Sequence, residues 1–338
     1  MSEQLKVAVL AGGYSGEAEI SIKSAATVLD HIDRQRFTPT LIHIDEKCWW
    51  VENAEGNKAG EIDKSNFTWT DSLDQIHSFD IAYIIVHGTP GEDGRIQAYL
   101  EDLNIPFTTG SSASVKRTFN KFATTSLLRD NGFTVGSSIV VEDASLIGEQ
   151  LTTKITSAVG YPCFIKPNNG GSSLGISKVV TAAEVDTALR LAFDTGCNSV
   201  IVESLLKGRE FSMGVVPSST GVPTAMPITE IVTDNEFFDY EAKYEGASDE
   251  ITPADIPESA KRLMQEAGEK AYNLLECRGM VRIDFILVNG ETPAILEVNS
   301  VPGFSSVSIL PQQLAHAGIP IKHMLTRALT LPYLDCLL

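Results

Sequence analysis

The segment MVRIDFILVNGETPAILEVNSVPG, residues 280–303, contains carboxylate and amide side chains of the kinds that bind a divalent metal ion. Asn289 and Gly290 separate two stretches in which apolar and polar residues alternate, which predicts a β-hairpin with a two-residue turn. We expect Val288 to pair with Glu291 across this turn, which sets the register of the whole hairpin.

Alternation along the predicted hairpin directs four polar side chains to one face: Arg282, Asp284, Glu297 and Asn299. In this register Arg282 lies opposite Glu297. Asp284 lies opposite Ile295 and diagonal to Glu297, about 7–8 Å away at Cα, so the two carboxylates can share one Mg²⁺ ion. The alternative is a solvated face with a surface salt bridge. Ile286 and Ile295 on the same face argue against it, because half-buried carboxylates without a partner are costly.

A second motif, CFIKPNNGGSSLGISK at residues 163–178, places Lys166 on a strand just before a loop rich in glycine and serine. Such a loop can direct backbone N–H groups and hydroxyls at phosphate oxygens. It is not a Walker A motif, because Ile176 stands where the lysine is required. A flexible hairpin loop is the alternative, and Lys166 followed at once by proline makes that alternative weaker.

Two polar strings are weaker evidence when taken alone. Glu203 and Glu210 flank an apolar turn in IVESLLKGREF and could contact a base and a ribose, although a solvated strand end explains the string better. Lys243 and Tyr244 lie in DYEAKYEG, which in isolation is typical of an exposed loop.

Two further strings lie at the ends of apolar strands. AGGYSGEAEIS, residues 11–21, follows the first strand, where ligands bind in open α/β sheets, but it lacks the GxGxxG spacing of a dinucleotide site. Glu17 in this string is either a ligand-facing acid or a charge that stabilises a helix N-terminus. HGTPGEDG begins with His87, and a single histidine at a strand end is more often structural.

The segments around these motifs predict a mixed α/β protein. Apolar runs at 5–13, 37–45 and 80–88, with a helical pattern at 20–29, predict parallel βαβ units. The polar stretch 52–71 predicts an irregular surface excursion.

Elements further along the chain are also visible in the pattern. Two antiparallel strands are expected on either side of the Gly/Ser loop, and a helix is expected near 116–131. Pro257 begins a helix with one apolar stripe. That stripe contains Ala260, Leu263, Met264, Ala267, Ala271, Leu274 and Leu275. We expect three domains, at 1–109, 110–206 and 207–338.

Bulk properties exclude several classes of protein. A formal net charge of −18 over 338 residues disfavours binding to nucleic acid or to an anionic membrane. No apolar run approaches the length of a membrane span, and no secretory signal precedes the first strand. The five cysteines are scattered without a CxxC pair, which favours a reduced, cytoplasmic location.

Together, these motifs resemble those of the ATP-grasp superfamily, and within it the D-alanine–D-alanine ligase family. Seven strings occur in the family's order: GGYSGEAEIS, HGTPGEDG, IKPNNGGSSLGISKV, VESLLKGREF, DYEAKY, GMVRIDFIL and LEVNSVPGFSSVSILP. They extend over nearly the whole chain. The resemblance implies an α/β (α+β) architecture, namely an ATP-grasp fold with an N-terminal Rossmann-like parallel-sheet domain and three domains in all.

The resemblance also implies a nucleotide site and a metal site. The implied ATP contacts are Lys121, Lys166, Ser173, Glu203, Glu210 and Lys243. Among them, Glu203 would lie near adenine and Glu210 on the ribose, while Lys243 would contact the transferred phosphate or a substrate carboxylate. The implied ligands of two Mg²⁺ ions, which Mn²⁺ can replace, are Asp284, Glu297 and Asn299.

Two D-alanine subsites follow from the same resemblance. Glu17 is similar to the acid that holds the ammonium of the first D-alanine, supported by Ser172 and Tyr244, and His87 would lie close to that substrate. Ser308 would help to bind the carboxylate of the second D-alanine.

Arg282 and the backbone N–H of Gly303 resemble an oxyanion site. The implied chemistry is phosphoryl transfer from ATP to one D-alanine, followed by attack of the second amine on the acyl phosphate. The resemblance implies a homodimer.

Three competing functions are distinguishable. A D-alanyl-D-lactate ligase is the nearest, and Tyr244 favours the dipeptide enzyme over it. A non-catalytic nucleotide-binding protein would leave several acids and lysines without a role. A nicotinamide dehydrogenase predicts a dinucleotide fingerprint that the sequence lacks.

Overall fold

Three apolar runs form the parallel centre of a seven-stranded first sheet, as predicted. These strands are β1 (Leu5–Gly12), β2 (Phe37–Ile44) and β7 (Ile81–Ile84), and β1 pairs in parallel with both others. The computed structural model describes residues 4–171, 174–233 and 248–335. Because β1 is buried on both faces, its sequence is a continuous apolar run rather than an alternation.

The prediction of an irregular excursion at 52–71 was wrong. Four antiparallel strands within and beside this stretch instead extend the first sheet. They are β3 (Trp49–Glu52), β4 (Lys58–Asp63), β5 (Thr68–Thr70) and β6 (Ile76–His77), in the sheet order β6-β5-β4-β3-β2-β1-β7. Ile62 and Phe67 pack into the core of this sheet, while most neighbouring side chains face solvent. Strands this short contain too few alternations to be recognised in sequence.

Helices cover both faces of the first sheet. On one face lie α1 (Ala18–His31) and the C-terminal helix α9 (Ile321–Asp335), which share a core that includes Val28 and Leu325. On the other face lies α2 (Arg95–Asp102), which buries Ile96 and Leu100. The C-terminal part of the chain therefore packs against the N-terminal sheet.

The second sheet has four antiparallel strands in the order β10-β9-β11-β8. They are β8 (Ser138–Val141), β9 (Cys163–Pro167), β10 (Ser177–Val179) and β11 (Val200–Ser204), packed against α5 (Glu149–Ala158) and α6 (Val185–Phe193). The antiparallel pair around the Gly/Ser loop, β9 and β10, is confirmed. The helix expected near 116–131 is two helices, α3 (Ser112–Phe119) and α4 (Lys121–Asp130), because the Asn120 side chain caps a new start.

The third sheet has six strands, in the order β15-β14-β12-β16-β17 with β13 paired to β12. Its strands are β12 (Gly208–Pro217), β13 (Pro223–Ala225), β14 (Thr229–Thr233), β15 (Ser248–Ile251), β16 (Val281–Val288) and β17 (Thr292–Asn299). Helix α7 (Glu258–Leu274) packs against it, and α8 (Ile309–His316) follows the last strand. The predicted stripe on α7 is correct for Met264 and Ala271, but Leu263 is 44% exposed.

Among the helices of residues 4–171, 174–233 and 248–335, none combines the length and hydrophobicity that crossing a membrane requires. The domain borders after residues 109 and 206 stay predictions.

Candidate active site

The hairpin of β16 and β17 brings the predicted acids together, but in a different register from the one expected. Val288 pairs with Thr292 rather than with Glu291. A bulge between Asp284 and Phe285 then shifts the register again. Despite the two shifts, the four predicted polar side chains still lie on one face of the hairpin.

Asp284 consequently lies directly opposite Glu297 instead of diagonal to it, and Arg282 lies opposite Asn299. Ile295 was predicted on this face but pairs with Phe285 and joins the core on the other side. The bulge is the physical reason for the change in Ile295. It adds one residue to β17 between Ile295 and Glu297, so these two side chains point to opposite faces of the hairpin.

Four side chains form one hydrogen-bonded group around Asp284. Arg282 donates to both of its carboxylate oxygens, with Nε 2.9 Å from Oδ1 and Nη2 2.8 Å from Oδ2. Asn299 Nδ2 lies 3.2 Å from Asp284 Oδ2 and 3.4 Å from Glu297 Oε1. Ser212 Oγ on β12 donates to Asp284 Oδ1 at 2.7 Å. The two carboxylates are therefore close enough to be reached by a single amide nitrogen.

Lys121 connects this hairpin to the Gly/Ser loop. Its Nζ donates to the Gly170 carbonyl at 2.7 Å and lies 3.8 Å from Glu297 Oε2. Lys121 is the first residue of α4, and its backbone N–H donates to the Asn168 carbonyl at the loop's start. The ammonium thus lies between the loop and the acids, where a polyphosphate would also meet both.

Lys166, which is half-buried, and the buried Glu203 form an ion pair on adjacent strands of the second sheet, with Nζ 2.6 Å from Oε2. Burial lowers the pKa of the Lys166 ammonium, but the carboxylates of Glu203 and Glu297 outweigh burial and raise that pKa above its ordinary value. Lys166 is therefore charged at neutral pH. Glu210 on β12 lies opposite Ile286 and is also near enough to raise this pKa.

Glu17 lies at the N-terminus of α1 and faces two glycines. A Cβ added at Gly171 would stand 2.8 Å and 2.9 Å from the Glu17 carboxylate oxygens, and one at Gly88 would stand 3.4 Å from Oε2. The absence of side chains at Gly88 and Gly171 thus lets both loops approach the carboxylate. The Gly/Ser loop and the β1–α1 turn therefore meet at Glu17.

His87 is buried behind this carboxylate. Its Nδ1 lies 2.9 Å from the Val301 carbonyl and its Nε2 lies 3.3 Å from Ser24 Oγ. Burial lowers the pKa of His87, although the nearby Glu17 charge opposes that effect. His87 is therefore neutral at physiological pH.

The loop between β17 and α8 carries the two remaining predicted residues. A Cβ added at Gly303 would stand 3.1 Å from Ser308 Oγ, so the backbone of Gly303 and the hydroxyl of Ser308 are neighbours. Ser308 Oγ accepts the backbone N–H of Ser305 at 3.0 Å and lies 2.8 Å from Ser305 Oγ. Ser308 precedes the first residue of α8.

Four predicted site residues, Ser172, Ser173, Lys243 and Tyr244, lie outside the described residues.

Two further side chains belong to this region and were not assigned a role from sequence. Ser212 contacts Asp284, but its side-chain direction depends on the pairing of β12 with β16, for which the sequence offers no signal. Glu92 accepts the Gly88 N–H at 2.7 Å, and burial followed by the Glu17 charge raises its pKa to about 8. Its position in HGTPGEDG was the one available clue.

The donor set fits a hard divalent cation. In the part of the chain that the structure describes, no cluster of three or more His, Cys, Asp or Glu side chains forms a cage made by protein alone. Asp284 and Glu297 instead provide two carboxylates beside the Asn299 amide. That incomplete oxygen shell suits Mg²⁺, which keeps positions for phosphate and water.

A charged, half-buried lysine, a glycine-rich loop and an acidic hairpin on two antiparallel sheets define an ATP-grasp ligase. Two family profiles match the chain, "D-ala D-ala ligase N-terminus" at residues 6–111 and "D-ala D-ala ligase C-terminus" at residues 127–330. The chain belongs to the D-alanine–D-alanine ligase family.

Individual relatives agree with this assignment. A D-alanine–D-alanine ligase of Christiangramia forsetii is 42% identical over 319 residues, covering 94% of this chain and 95% of the relative. The structure of the D-alanine–D-alanine ligase from Coxiella burnetii superposes with a TM-score of 0.86 at 26% identity, covering 99% of this chain and 96% of that one. A D-Ala:D-Ser ligase from Enterococcus faecalis has a TM-score of 0.85 at 28% identity, covering 96% and 98%.

Proposed function

We propose that this chain joins two D-alanines to D-alanyl-D-alanine, with ATP as co-substrate and D-alanyl phosphate as intermediate, and so supplies peptidoglycan precursor synthesis. The position of Lys121 is the observation that carries the proposal. Its ammonium contacts the Gly/Ser loop at Gly170 and approaches the acidic hairpin at Glu297. A ligase of this kind needs the phosphate loop and the metal-binding acids on either side of one polyphosphate.

ATP would bind between the second and third sheets. Lys121 and Lys166 would contact its phosphates, together with Ser173, and Glu210 would contact the ribose. Glu203 would orient Lys166 through their 2.6 Å ion pair and lie beside the adenine. Two positive charges fixed in a partly buried cleft stabilise the charge of the transferred phosphoryl group.

Asp284, Glu297 and Asn299 would hold Mg²⁺. When bound, the ion neutralises phosphate charge in the cleft. Arg282 forms an ion pair with Asp284, and its guanidinium would stabilise the oxyanion that develops at the reacting carbonyl. Ser212 would keep Asp284 oriented when Arg282 turns toward substrate.

Glu17 would hold the ammonium of the first D-alanine, with Ser172 and Tyr244 in support and His87 behind it. The first carboxylate attacks the γ-phosphorus of ATP, and ADP leaves. The neutral amine of the second D-alanine then attacks the acyl carbon, and phosphate leaves as the amide bond forms. The Gly303 N–H and Arg282 would stabilise the tetrahedral oxyanion in that step.

Ser308 would bind the carboxylate of the second D-alanine. Its hydroxyl already lies beside Gly303, so a carboxylate at Ser308 would bring the attached amine near the oxyanion donors. Lys243 would contact the transferred phosphate or a substrate carboxylate.

Mass spectrometry of products tests the function directly. With D-alanine, ATP and Mg²⁺, we expect D-alanyl-D-alanine and an equal amount of ADP. Parallel reactions that add D-serine or D-lactate identify the second substrate. The D-Ala:D-Ser relative makes D-serine the most informative competitor. Phosphate release that depends on D-lactate or D-serine would overturn the dipeptide assignment.

Asp284→Asn tests the metal site. We expect this variant to lower kcat/KM for ATP by about 100-fold or more, because it removes one negative oxygen from the cation. Glu291→Gln, at an exposed carboxylate in the turn between β16 and β17, is the matched control and should retain activity. Electron paramagnetic resonance of bound Mn²⁺ gives a readout independent of turnover. Equal Mn²⁺ binding by Asp284→Asn and wild type would refute the assignment.

The homodimer is a separate proposal that rests on the family resemblance. Sedimentation equilibrium should give twice the mass of one chain, and a single-chain mass at micromolar concentration would contradict it.

A further inference from the structure

Ser24 on α1 lies at a point where three segments of the active site meet. Its hydroxyl oxygen accepts the backbone N–H of Phe304 at 3.1 Å and lies 3.3 Å from Nε2 of His87. Ser24 and Phe304 are fully buried, and His87 is 5% exposed. The segments joined here are α1, the chain just after β7, and the loop that contains Gly303.

The hydrogen-bond partners determine which nitrogen of His87 carries the proton. Nδ1 lies 2.9 Å from the Val301 carbonyl, which can only accept, so Nδ1 must be protonated. In the neutral ring Nε2 is then an acceptor. Ser24 Oγ accepts from Phe304 and has one hydrogen left, which it can donate to Nε2. The three bonds are therefore consistent with one tautomer and one direction of donation.

This arrangement holds the segment from Val301 to Phe304 at both ends. His87 binds the carbonyl at one end and Ser24 binds the N–H at the other. Gly303, whose N–H is the proposed oxyanion donor, lies between them. Such donors stabilise an oxyanion when they lie about 2.7–3.1 Å from it, so the position of this segment matters for the rate.

The same serine is also aligned with Glu17. Seven residues separate them, which is close to two turns of helix and places both on one side of α1. A displacement of α1 relative to Gly303 would therefore change the distance between the first substrate's ammonium and the oxyanion donor.

We propose that Ser24 is a positioning residue for acyl transfer: its hydroxyl joins α1, His87 and the 301–304 loop, and thereby fixes Gly303 relative to Glu17. His87 then acts through its two hydrogen bonds as a neutral link rather than as a general base. This inference rests on the proposed ligase function and adds a residue to it.

Ser21 offers a matched control on the same helix. It is fully buried like Ser24, donates to the Ile85 carbonyl at 2.6 Å and accepts the Gly12 N–H at 2.8 Å. Neither of these two hydrogen bonds involves His87 or the 301–304 loop. Loss of either hydroxyl should lower thermal stability by a similar amount, so a difference in rate separates positioning from stability.

The experiment compares Ser24→Ala, Ser24→Cys and Ser21→Ala with ATP varied at saturating D-alanine, below the lowest melting temperature. We expect Ser24→Ala to lower kcat about tenfold or more with little change in KM for ATP. Ser24→Cys should be intermediate, since a thiol is a weak donor and acceptor. Ser21→Ala should stay within about twofold of wild type once its stability is matched.

Nitrogen NMR of ¹⁵N-histidine protein gives a second readout that a purely structural role would not move. The signal absent from His87→Gln identifies His87. Nδ1 should stay protonated in every variant, because the Val301 carbonyl can only accept. The Nε2 chemical shift should be unchanged in Ser21→Ala and should move in Ser24→Ala, which removes the hydrogen bond to Nε2. Equal kcat for Ser24→Ala and Ser21→Ala, or an unchanged His87 signal, would refute the positioning role. Wild-type protein that forms no dipeptide would instead refute the proposed function.

Discussion

At the scale of single residues, the surroundings of Glu92 change the pKa of its carboxyl group. Its carboxyl group accepts the Gly88 N–H, and the loop from Gly88 to Glu92 closes further through the Glu92 N–H donating to the Gly88 carbonyl at 2.7 Å. Burial and then the Glu17 charge raise the Glu92 pKa to about 8, so this acid is largely protonated at neutral pH. A protonated Glu92 carboxyl adds no charge of its own beside Glu17, the residue proposed to bind the ammonium of the first D-alanine.

Because its pKa is raised on folding, the Glu92 carboxyl group contributes to stability in a pH-dependent way. In the folded state the pKa of Glu92 is about 8, against 4.5 ordinarily. Its contribution is fully present below the ordinary pKa and is lost as pH rises through the folded pKa, because the unfolded chain releases the proton first. Glu92→Gln keeps an acceptor for Gly88 but removes this titration. We expect the melting temperature of the variant, relative to wild type, to increase between about pH 5 and about pH 8.5.

Differential scanning fluorimetry at several pH values measures that difference. A melting-temperature difference that is constant across the range would show that the Glu92 carboxyl ionises equally easily in both states.

At the scale of elements, helix α7 shows how well the spacing of apolar residues predicts which side chains are buried. The apolar stripe predicted Met264 and Ala271 in the core correctly, and both pack against the third sheet. Leu263 belongs to the same apolar pattern but is 44% exposed, because the helix contacts the sheet along a narrower strip than the stripe. A stripe therefore predicts which side of a helix is buried better than it predicts the edges of the contact.

Met264→Ala and Leu263→Ala provide a paired test of this contact. Met264 is fully buried, so its truncation should lower the free energy of unfolding by about 2–5 kcal/mol. Leu263→Ala should change it by about 0.5 kcal/mol or less. Urea denaturation followed by fluorescence compares the two. Equal destabilisation would mean that Leu263 is covered in solution.

At the scale of the whole molecule, the residues proposed to bind the nucleotide come from two sheets. Lys166 and Glu203 come from the second sheet, whereas Asp284 and Glu297 come from the third. Lys121, on α4, links the two groups through Gly170 and Glu297. A ligand bound between them should hold the two sheets together and stabilise both.

We therefore expect Mg²⁺ and ATP together to raise the melting temperature more than either does alone. The stabilisation grows with ligand concentration, by about 2.7 kcal/mol at one hundred times Kd. Lys166→Met should reduce this response, because it removes a proposed phosphate contact. The exposed Lys47→Met is the control and should keep it. A response that Lys166→Met leaves unchanged would place the nucleotide elsewhere.

Local pattern in the sequence predicted the parallel strands, the antiparallel pair around the Gly/Ser loop and the face on which Asp284 and Glu297 lie. These features depend on residues near one another in the chain, since alternation and apolar runs are short-range properties. The motif order was sufficient to identify the family resemblance.

The tertiary structure determined the features that depend on contacts between segments distant in the sequence. The bulge beside Asp284 set the final register, Ser212 came to Asp284 from another strand, and Gly171 met Glu17 across more than 150 residues. The burial that shifts the pKa of Glu92 arises in the same way. Register, burial and charge–charge distance depend on how elements pack, and alternation along one strand carries no information about its neighbour.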